Sequence, residues 1–499
     1  MEGTREFLLK KVIGWATKEL GQGKSNTFWI YGLPGIGKTS LAHSICAILH
    51  EGHHLAGAFF CRRDDENLNK PRNILPTLIH KLAITFPLFR RLVAERLRND
   101  ANLTAGSMKH TLLLELIRKL PRPPERSLVF VIDAFDECGD TESRPNILRA
   151  LTDAAVHAPW LKIIITSRPE VDIHHSFDAL TQSLHERYDL AADAQAPSDI
   201  QIFAKDRFEK VASKRFLGSP WPEKSLFDGV ISRAAGLFIF VKTIALALEQ
   251  CEDPTGLLKT ALQESAGTGL TSLYALYSSI LKGRIAHSTA DFRRMIGALL
   301  TAAPHRPLCE ETIAELAGVR LDLVKTWVAD LSSLLYRDEV ANGGIRVRHL
   351  SISDFFLSDD DAHGDYHVDL RDANFHLGNA CLRTMIEQLR FNICGLEDSR
   401  LENAAVNDLQ LRIKENISDA LQYSSMYWSN HLRFDHENGD WEGLRTFFEG
   451  PYALYWIEVL SIMGMVSIGV PSLQRVRSKV VKASRASAAI CLHLKMNLI

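Results

Sequence analysis

The run "GLPGIGKTS" after the apolar stretch "FWIY" constrains this chain more than any other part of its sequence. Gly32, four further residues and then Gly37-Lys38-Thr39 form the P-loop pattern, in which glycines let backbone N–H groups turn inward around a phosphate. The helix that begins near Lys38 points its positive end at the same anion. We therefore expect Lys38 on the β- and γ-phosphates and the Thr39 hydroxyl on Mg²⁺. The predicted nucleotide-binding residues of this turn are Gly32, Leu33, Pro34, Gly35, Ile36, Gly37, Lys38, Thr39 and Ser40.

A second motif, "LVFVIDAFDEC", predicts the acidic part of the same site. Its four apolar residues indicate a buried strand that ends at Asp133, where a carboxylate can hold the Mg²⁺ shell. Asp136 and Glu137 follow at the mouth of that strand, where one of them can orient an attacking water. A strand that ends in a solvated acidic loop is the plainer alternative, and the upstream P-loop favours the nucleotide site.

The stretch "IIITSRP" predicts a further strand with Arg168 at its carboxyl end. Ligands of open parallel sheets bind outside these ends, so Arg168 is a candidate sensor of the γ-phosphate. A surface arginine before Pro169 is the alternative. The predicted catalytic residues are Asp136, Glu137 and Arg168, and the predicted metal ligands are Thr39 and Asp133.

The order of apolar strands and helices predicts the domain organisation. Short buried runs at 55–61, 127–135, 161–167 and 186–191 alternate with helical stretches, which is typical of a parallel sheet with helices on both faces. After residue 192 the pattern is mostly helical, and "IRVRHL" suggests a small hairpin, either in a winged helix or as a stray hairpin. The predicted regions are a lead-in helix (1–25), an α/β P-loop NTPase domain (26–192), a helical domain (193–268), a winged-helix-like domain (269–360), a helical domain (361–474) and a basic tail (475–499).

Composition excludes several classes of protein. The formal net charge of −2 gives no global field for nucleic acid or an anionic membrane, and the eight scattered cysteines fit a reducing compartment, so we expect the cytoplasm. Residues 452–470 are long enough to cross a bilayer, but Glu458 lies within them and favours a buried or interface helix. "HEGHH" at 50–54 is more consistent with a solvated loop than with a metal site.

Together, the P-loop, "VFVIDAFDEC" and "IIITSRP" resemble the NACHT domain of the signal-transducing (STAND) class of P-loop NTPases. The resemblance is closest to the fungal set with a nephrocystin-3-like N-terminal module. Such domains usually have glycine where this chain has Ala134. The lead-in "EGTREFLLKKVIGW" resembles that of the family, which implies that Gly3, Thr4 and Arg5 lie near the nucleotide base.

The resemblance extends over nearly the whole chain, to about residue 474, and implies further contacts. "RAAGLFIFVKTIA" is similar to a family motif with a proline against the adenine, but Phe238 stands at that position here. "VRHLSISDFFL" resembles the winged-helix motif whose histidine touches the β-phosphate of a bound diphosphate, which implies this role for His349; a histidine packed in a winged-helix core is the alternative. No effector domain or WD-repeat array is evident, so the tail suggests a truncated end.

Three functions remain open at this stage. The resemblance favours a switch that holds NDP at rest, exchanges it for NTP, self-associates and signals to a protein effector, in fungal self/non-self recognition or defence. A kinase or remodelling ATPase with fast turnover is the second, and a scaffold with a structural nucleotide is the third. The guanine motif N-K-x-D is missing, since "NKPR" at 69–72 has arginine in its last position, which favours ATP. Some fungal proteins of the resembled set are thought of as GTP-binding, so GTP stays open as the alternative.

Overall fold

A five-stranded parallel sheet forms the centre of the first part of the chain. The computed structural model describes residues 3–18, 25–99, 112–121, 123–180, 185–218, 220–264, 267–282, 284–285, 289–339, 343–358, 361–398, 401–434 and 441–486. The strands are β1 (Thr27–Tyr31), β2 (Leu55–Phe60), β3 (Leu128–Asp133), β4 (Leu161–Ser167) and β5 (His185–Asp189), in the spatial order β2-β3-β4-β1-β5. All four neighbouring pairs are parallel, so the carboxyl ends of the strands share one edge.

Both faces of this sheet are covered by helices, because its central strands are apolar on both sides. On one face, Phe130 and Ile165 belong to a buried cluster with residues from the helices at 74–85, 112–118 and 143–157. On the other face, the indole ring of Trp15 lies 5.3 Å from the ring of Phe28. The α/β P-loop NTPase fold predicted from the sequence is confirmed, with helical regions after it.

The chain divides into two compact units. The first unit comprises residues 1–280 together with 349–351, and the second comprises 281–348 and 352–499. The helices that begin in the first stretch are α1 (Glu6–Ala16), α2 (Lys38–Glu51), α3 (Ile74–Thr85), α4 (Pro87–Asn99), α5 (Leu112–Arg118), α6 (Ser143–His157), α7 (Val171–Asp178), α8 (Ala196–Lys214), α9 (Lys224–Ala234), α10 (Phe238–Gln250), α11 (Pro254–Glu264) and α12 (Leu270–Lys282).

Helices dominate the second unit, with one antiparallel hairpin of β6 (Leu335–Asp338) and β7 (Gly344–Val347). The remaining helices are α13 (Thr289–Ala302), α14 (Glu310–Ala317), α15 (Leu321–Asp330), α16 (Leu350–Leu357), α17 (Leu370–Gln388), α18 (Leu409–Asn416), α19 (Asp419–His431), α20 (Trp441–Glu449), α21 (Tyr452–Ile462) and α22 (Gly469–Ala486). A three-helix run before a hairpin is the order expected of a winged helix, and the domain boundaries drawn from the sequence remain predictions.

The apolar stretch at 452–470 does not form one helix. α21 ends at Ile462, Gly464 has φ of 70°, and α22 begins at Gly469. The Glu458 carboxylate accepts hydrogen bonds from the backbone N–H groups of Asn392 and Ile393, at 3.2 and 3.3 Å. Within the described part of the chain, no helix is long and apolar enough to cross a membrane.

The basic C-terminal stretch has a structural use that its sequence did not reveal. Val476 of α22 is buried, and Arg475 donates to the hydroxyl of Ser429 at 2.7 Å. Lys479 Nζ donates to three carbonyl oxygens at the end of α19, including that of Asn430 at 2.8 Å. A cation at a helix C-terminus satisfies orphan carbonyl groups there. The rest of the predicted tail, 487–499, lies outside the described residues.

Candidate functional site

The predicted phosphate-binding turn joins the first strand to the second helix. β1 ends at Tyr31 and α2 begins at Lys38. Gly35 and Gly37 have φ of 80° and 97°, a backbone conformation that glycine adopts without steric cost. A Cβ atom on Gly35 would lie 2.0 Å from Cγ2 of Ile239. Two glycines of the motif are thus required by backbone conformation, and one of them also by a neighbouring side chain.

Lys38 is folded back onto this turn. Its Nζ donates to the carbonyl oxygens of Gly32 at 2.7 Å and Leu33 at 2.9 Å. Burial lowers the pKa of Lys38 from its usual 10.5 to about 8, although the carboxylate of Asp136 opposes the shift. Because burial disfavours the charged form of Lys38, a phosphate beside its ammonium group would stabilise that form.

Asp133 lies at the carboxyl end of β3 and is almost fully buried. Its carboxylate accepts a short hydrogen bond from the Thr166 hydroxyl, and the Thr39 hydroxyl also bonds it. Burial raises the pKa of Asp133, while the two hydroxyl groups and Lys38 oppose that rise. A buried carboxylate beside the first hydroxyl of α2 is the protein donor set that P-loop proteins present to Mg²⁺, so these residues fit the ion.

Mg²⁺ at this position would need further ligands. Among the residues described, no group of three His, Cys, Asp or Glu side chains could hold a metal ion by itself, in the 50–54 segment or elsewhere. Mg²⁺ commonly keeps several waters and completes its octahedron with substrate phosphates. The site therefore suits a metal that arrives with a nucleotide.

Thr166 contacts the predicted metal ligand Asp133, and the sequence analysis did not name it. Besides bonding Asp133, its Oγ1 accepts a hydrogen bond from the backbone N–H of Ala134 at 3.1 Å. Ala134 has φ of 54° and ψ of 45°, so this chain departs from the expected glycine at a position whose conformation favours glycine. The available signal was a threonine two residues before Arg168 in "IIITSRP".

Arg168 and Asp136 lie together at the same edge. The backbone N–H of Arg168 donates to Asp136 Oδ1 at 2.9 Å, and its Nε lies 3.3 Å from Oδ2. Arg144 donates to the backbone carbonyl of Asp136 at 2.8 Å and pairs with Asp172. Because both oxygens of Asp136 face Arg168, this geometry suits a positioning role for Asp136 better than activation of a water.

Glu137 has the chemistry of a general base. Burial, followed by the charge of Asp136, raises the pKa of Glu137 to about 7. Its Oε2 accepts a hydrogen bond from the backbone N–H of Arg63 at 3.4 Å. A base whose pKa lies near the working pH transfers protons most effectively. We call Gly32–Thr39, Asp133, Asp136, Glu137 and Arg168 the sheet edge.

The first residues of α10 contact the P-loop at Gly35 and Gly37. We call this part of the turn the crest. The backbone N–H of Ile239 donates to the carbonyl oxygen of Gly35 at 3.2 Å. A Cβ on Gly37 would lie 3.6 Å from the ring of Phe238, and that ring is 5.3 Å from the ring of Phe203. Phe238, which replaces the proline of the family motif, is thus beside the phosphate-binding turn.

Arg5 connects the lead-in to four other segments of the first unit. Its guanidinium makes a short salt bridge to Asp193 and lies 3.9 Å from the carboxylate of Asp199. It also donates to the carbonyl oxygen of Ile36 at 3.4 Å and lies 5.7 Å from the Phe238 ring. These contacts occupy the side chain for which the resemblance implied a place near the base.

His349 also lies at the crest. A Cβ on Gly35 would be 3.8 Å from its Cε1. Burial and the nearby cations Lys38, Arg168 and Lys242 lower the pKa of His349 to about 3, so its ring is neutral near pH 7. We call Arg5, Ile239 and His349 the cover. Sequence analysis gave Arg5 and His349 through the family resemblance alone and missed Ile239.

A cavity of about 430 Å³ adjoins one of the Arg5 partners. Its wall includes Asp193, the aromatic rings of Phe7 and Tyr188, and the side chain of Arg187. Its volume is in the range of small-molecule sites. Tyr188 also bonds Asp193, so one residue of the buried ion pair, Asp193, lines the cavity and bonds a second lining residue.

Comparison with known proteins finds a family model that is similar to the N-terminal third of the chain. Residues 3–168 match a family model described as "Nephrocystin 3, N-terminal". No curated protein matches the chain.

Among solved structures, parts of this chain are similar to a Walker-type ATPase and to two origin-recognition (ORC) proteins. A Walker-type ATPase of Pyrococcus abyssi is 13% identical, with 70% of this chain and 95% of that chain covered and a TM-score of 0.33. ORC1 of Aeropyrum pernix in complex with DNA is 14% identical, with 70% and 91% covered and a TM-score of 0.32. Drosophila ORC bound to DNA is 12% identical, with 70% and 93% covered and a TM-score of 0.28. At these scores we draw no functional argument from them.

Proposed function

We propose that this chain is a nucleotide-dependent switch of the P-loop NTPase class. It holds a nucleoside diphosphate at rest and changes state when a triphosphate replaces it. The observation that carries the proposal is the convergence on Gly35, whose carbonyl accepts the Ile239 N–H and on which a Cβ would lie 3.8 Å from His349 Cε1. Nucleotide hydrolysis alone needs only the sheet edge, whereas a switch also needs elements that respond to the phosphates.

Differential affinity is the physical basis of such a switch. A ligand shifts an equilibrium between two states only by as much as its affinities for them differ. The γ-phosphate is the one chemical difference between NTP and NDP, and the crest at Gly35 is the part of the turn on which the cover lies. We infer that the cover can keep its contacts with the P-loop when NDP is bound. A γ-phosphate, which Lys38 and Arg168 would contact, would destabilise those contacts.

The sheet edge would also return the switch to rest by slow hydrolysis. Asp133 and Thr39 would hold Mg²⁺, which supplies charge neutralisation for the phosphates. Glu137, with a pKa of about 7, accepts the proton of the attacking water, and Asp136 keeps Arg168 at the strand end. We propose that Asp136, which was predicted to be catalytic, acts by positioning Arg168.

The proposal extends to the biological role of the protein, the base of its nucleotide and its location. We propose a role in signal transduction, with self-association in the NTP state and a protein effector, on the motifs that resemble NACHT domains. We favour ATP over GTP because the guanine motif is missing from the sequence. A cytoplasmic location and a part in fungal self/non-self recognition or defence are proposed on the resemblance alone.

A turnover NTPase is the second candidate, because Glu137 could serve as its general base. A base with a pKa of about 7 is as suitable for fast hydrolysis as for slow resetting. The two candidates differ in nucleotide retention: the switch keeps its NDP, whereas a turnover enzyme must release product in every cycle.

The test is to identify the nucleotide that co-purifies with the recombinant full chain and to measure its turnover rate. Tightly held ADP or GDP with turnover far below the roughly 10 s⁻¹ of typical enzymes supports the switch. An empty site with rapid turnover supports the second candidate. The Lys38→Ala variant is the matched control, and equal nucleotide content in that variant would refute the site itself.

A further inference from the structure

A chain of hydrogen bonds that no sequence motif indicated links His349 to α12. Ser351 donates its backbone N–H to His349 Nδ1 at 3.1 Å, and the Ser351 hydroxyl lies 2.7 Å from the same nitrogen. The Ser351 Oγ lies 2.8 Å from the hydroxyl of Tyr277 on α12. Ser351 and Tyr277 are completely buried, and all three residues belong to the first unit.

The directions of these bonds follow from the chemistry of the groups. A backbone N–H can only donate, so Nδ1 of His349 is an acceptor and carries no proton. The hydroxyl of Ser351 must then also donate to Nδ1, and the Tyr277 hydroxyl donates to Ser351 Oγ. The neutral ring therefore holds its proton on Nε2, because a neutral imidazole has one donor and one acceptor nitrogen.

The His349 ring lies close to the P-loop, so the nitrogen that carries its proton matters for phosphate binding. Cε1, which lies between the two ring nitrogens, is the His349 atom nearest to the Cβ that Gly35 would carry, at 3.8 Å. The Nδ1 side of the ring is occupied by Ser351, so Nε2–H is the group left to donate. Tautomer and orientation of a histidine are set by the bond that its other nitrogen makes.

We propose that Tyr277 and Ser351 are positioning residues that hold His349 as an Nε2–H donor for the terminal phosphate of a bound nucleoside diphosphate. The inference rests on the proposed function and deepens it. It implies that the retention of NDP depends partly on α12, a helix that contributes no residue to the P-loop motifs. Without the two hydroxyl groups, only the backbone N–H of Ser351, at 3.1 Å, still bonds Nδ1. The ring is then held less firmly, and a larger fraction of molecules carries the proton on Nδ1.

The first experiment measures release of a fluorescent NDP from the full chain by stopped flow. Tyr277→Phe and Ser351→Ala should each accelerate release by roughly two- to tenfold, the range expected for one hydrogen bond. The double variant should release little faster than the faster single variant, since both act through one ring. Ser351→Thr keeps the hydroxyl and should stay close to wild type.

Tyr274→Phe is the matched control, because Tyr274 lies on the same helix with its ring 6.4 Å from that of Tyr277. Equal release from Tyr277→Phe and Tyr274→Phe would overturn the proposal. Unfolding curves of each variant verify that the comparison is made between folded proteins.

The second experiment does not depend on nucleotide. The ¹⁵N shifts of His349 in the histidine-labelled full chain, assigned by loss of its signals in His349→Gln, report which nitrogen carries the proton. We expect a bare Nδ1 in the wild type and a shift toward the other tautomer in Ser351→Ala. A protonated Nδ1 in the wild type would refute the relay, whereas a wild type that retains no NDP would refute the proposed switch and leave this measurement intact.

Discussion

The sheet edge and the cover meet at one turn, but they are built from different kinds of information. The sheet edge consists of short segments that follow apolar strands, and each segment is recognisable in isolation. The cover consists of single residues from the lead-in, from α10 and from the segment before α16, whose partners are far away in the chain. Arg5 and Asp193, for example, are separated by 188 positions.

This difference separates the residues that we expect to bind and hydrolyse the nucleotide from those that we expect to control its retention. At the sheet edge, parallel strands bring Lys38, Asp133 and Arg168 to one place because every strand ends there. In the cover, contacts made by Arg5 and Ile239 depend on how separate helices pack. We therefore expect substitutions at the sheet edge to change affinity and hydrolysis, and those in the cover to change stability and nucleotide retention.

The largest expected effect is that of Lys38→Ala on nucleotide affinity. Removal of the charged donor to the β-phosphate should weaken NDP binding by about 100-fold, or about 3 kcal/mol, the upper end of the range for a hydrogen bond to a charged group. Stability should not fall, because burial of the charged amine is unfavourable, as its lowered pKa indicates. Calorimetric titration and urea unfolding measure the two quantities. Lys10→Ala on the exposed side of α1 is the control, and equal binding by both variants would contradict the assignment.

Arg5→Ala should have the largest effect on stability. It leaves Asp193 and Asp199 with side chains only 4% and 8% exposed, and removal of one partner from a buried ion pair costs about 3 kcal/mol. Lys210→Ala breaks the exposed pair with Asp206 and should cost less than about 0.5 kcal/mol. Urea unfolding of both variants tests the contrast, and similar losses would remove the distinction between cover and surface.

Glu137→Gln should separate hydrolysis from binding. Loss of the general base should slow NTP hydrolysis by about 100-fold, while NTP affinity stays within about twofold of wild type and the NTP form accumulates. In the wild type, hydrolysis should rise as pH increases through about 7, where Glu137 loses its proton. A steady-state phosphate assay from pH 6 to 8 measures both. The same pH limb in Glu137→Gln would assign the base elsewhere.

The smallest effect concerns pH and Lys38. In the folded protein without phosphate its pKa is about 8, and phosphate binding needs the charged form. NDP affinity should therefore fall by about tenfold between pH 7 and pH 9. Lys38→Arg, which stays charged, should show no such fall, and an equal fall in that variant would point to another group.

The same pKa has a consequence for stability with the opposite sign. Because the folded value lies below the usual 10.5, the unfolded chain binds the Lys38 proton more tightly between about pH 8 and pH 10.5. The contribution of Lys38 to stability should therefore rise with pH in this window. The difference between wild type and Lys38→Ala in urea unfolding isolates it.

Much of the fold was predictable, for a physical reason. Buried strands must be apolar and must alternate with helices in a parallel sheet, so β1, β3 and β4 were evident as "FWIY", "LVFVID" and "IIITS". The turn at Gly35 was evident because few residues tolerate positive φ. The contact of Ile239 with that turn was not, since an isoleucine on a buried helix resembles any other core residue.

The sequence by itself determined the phosphate-binding turn, the strand ends that carry Asp133 and Arg168, and the P-loop fold class. These are local properties, because they depend on residues within a strand, a turn or the first turn of a helix. Only the tertiary structure decided that Thr166 bonds Asp133, that Arg5 pairs with Asp193, and that Tyr277 reaches His349 through Ser351. Hydrogen bonds and ion pairs between distant segments depend on distance and direction in space, which no spacing along the chain encodes.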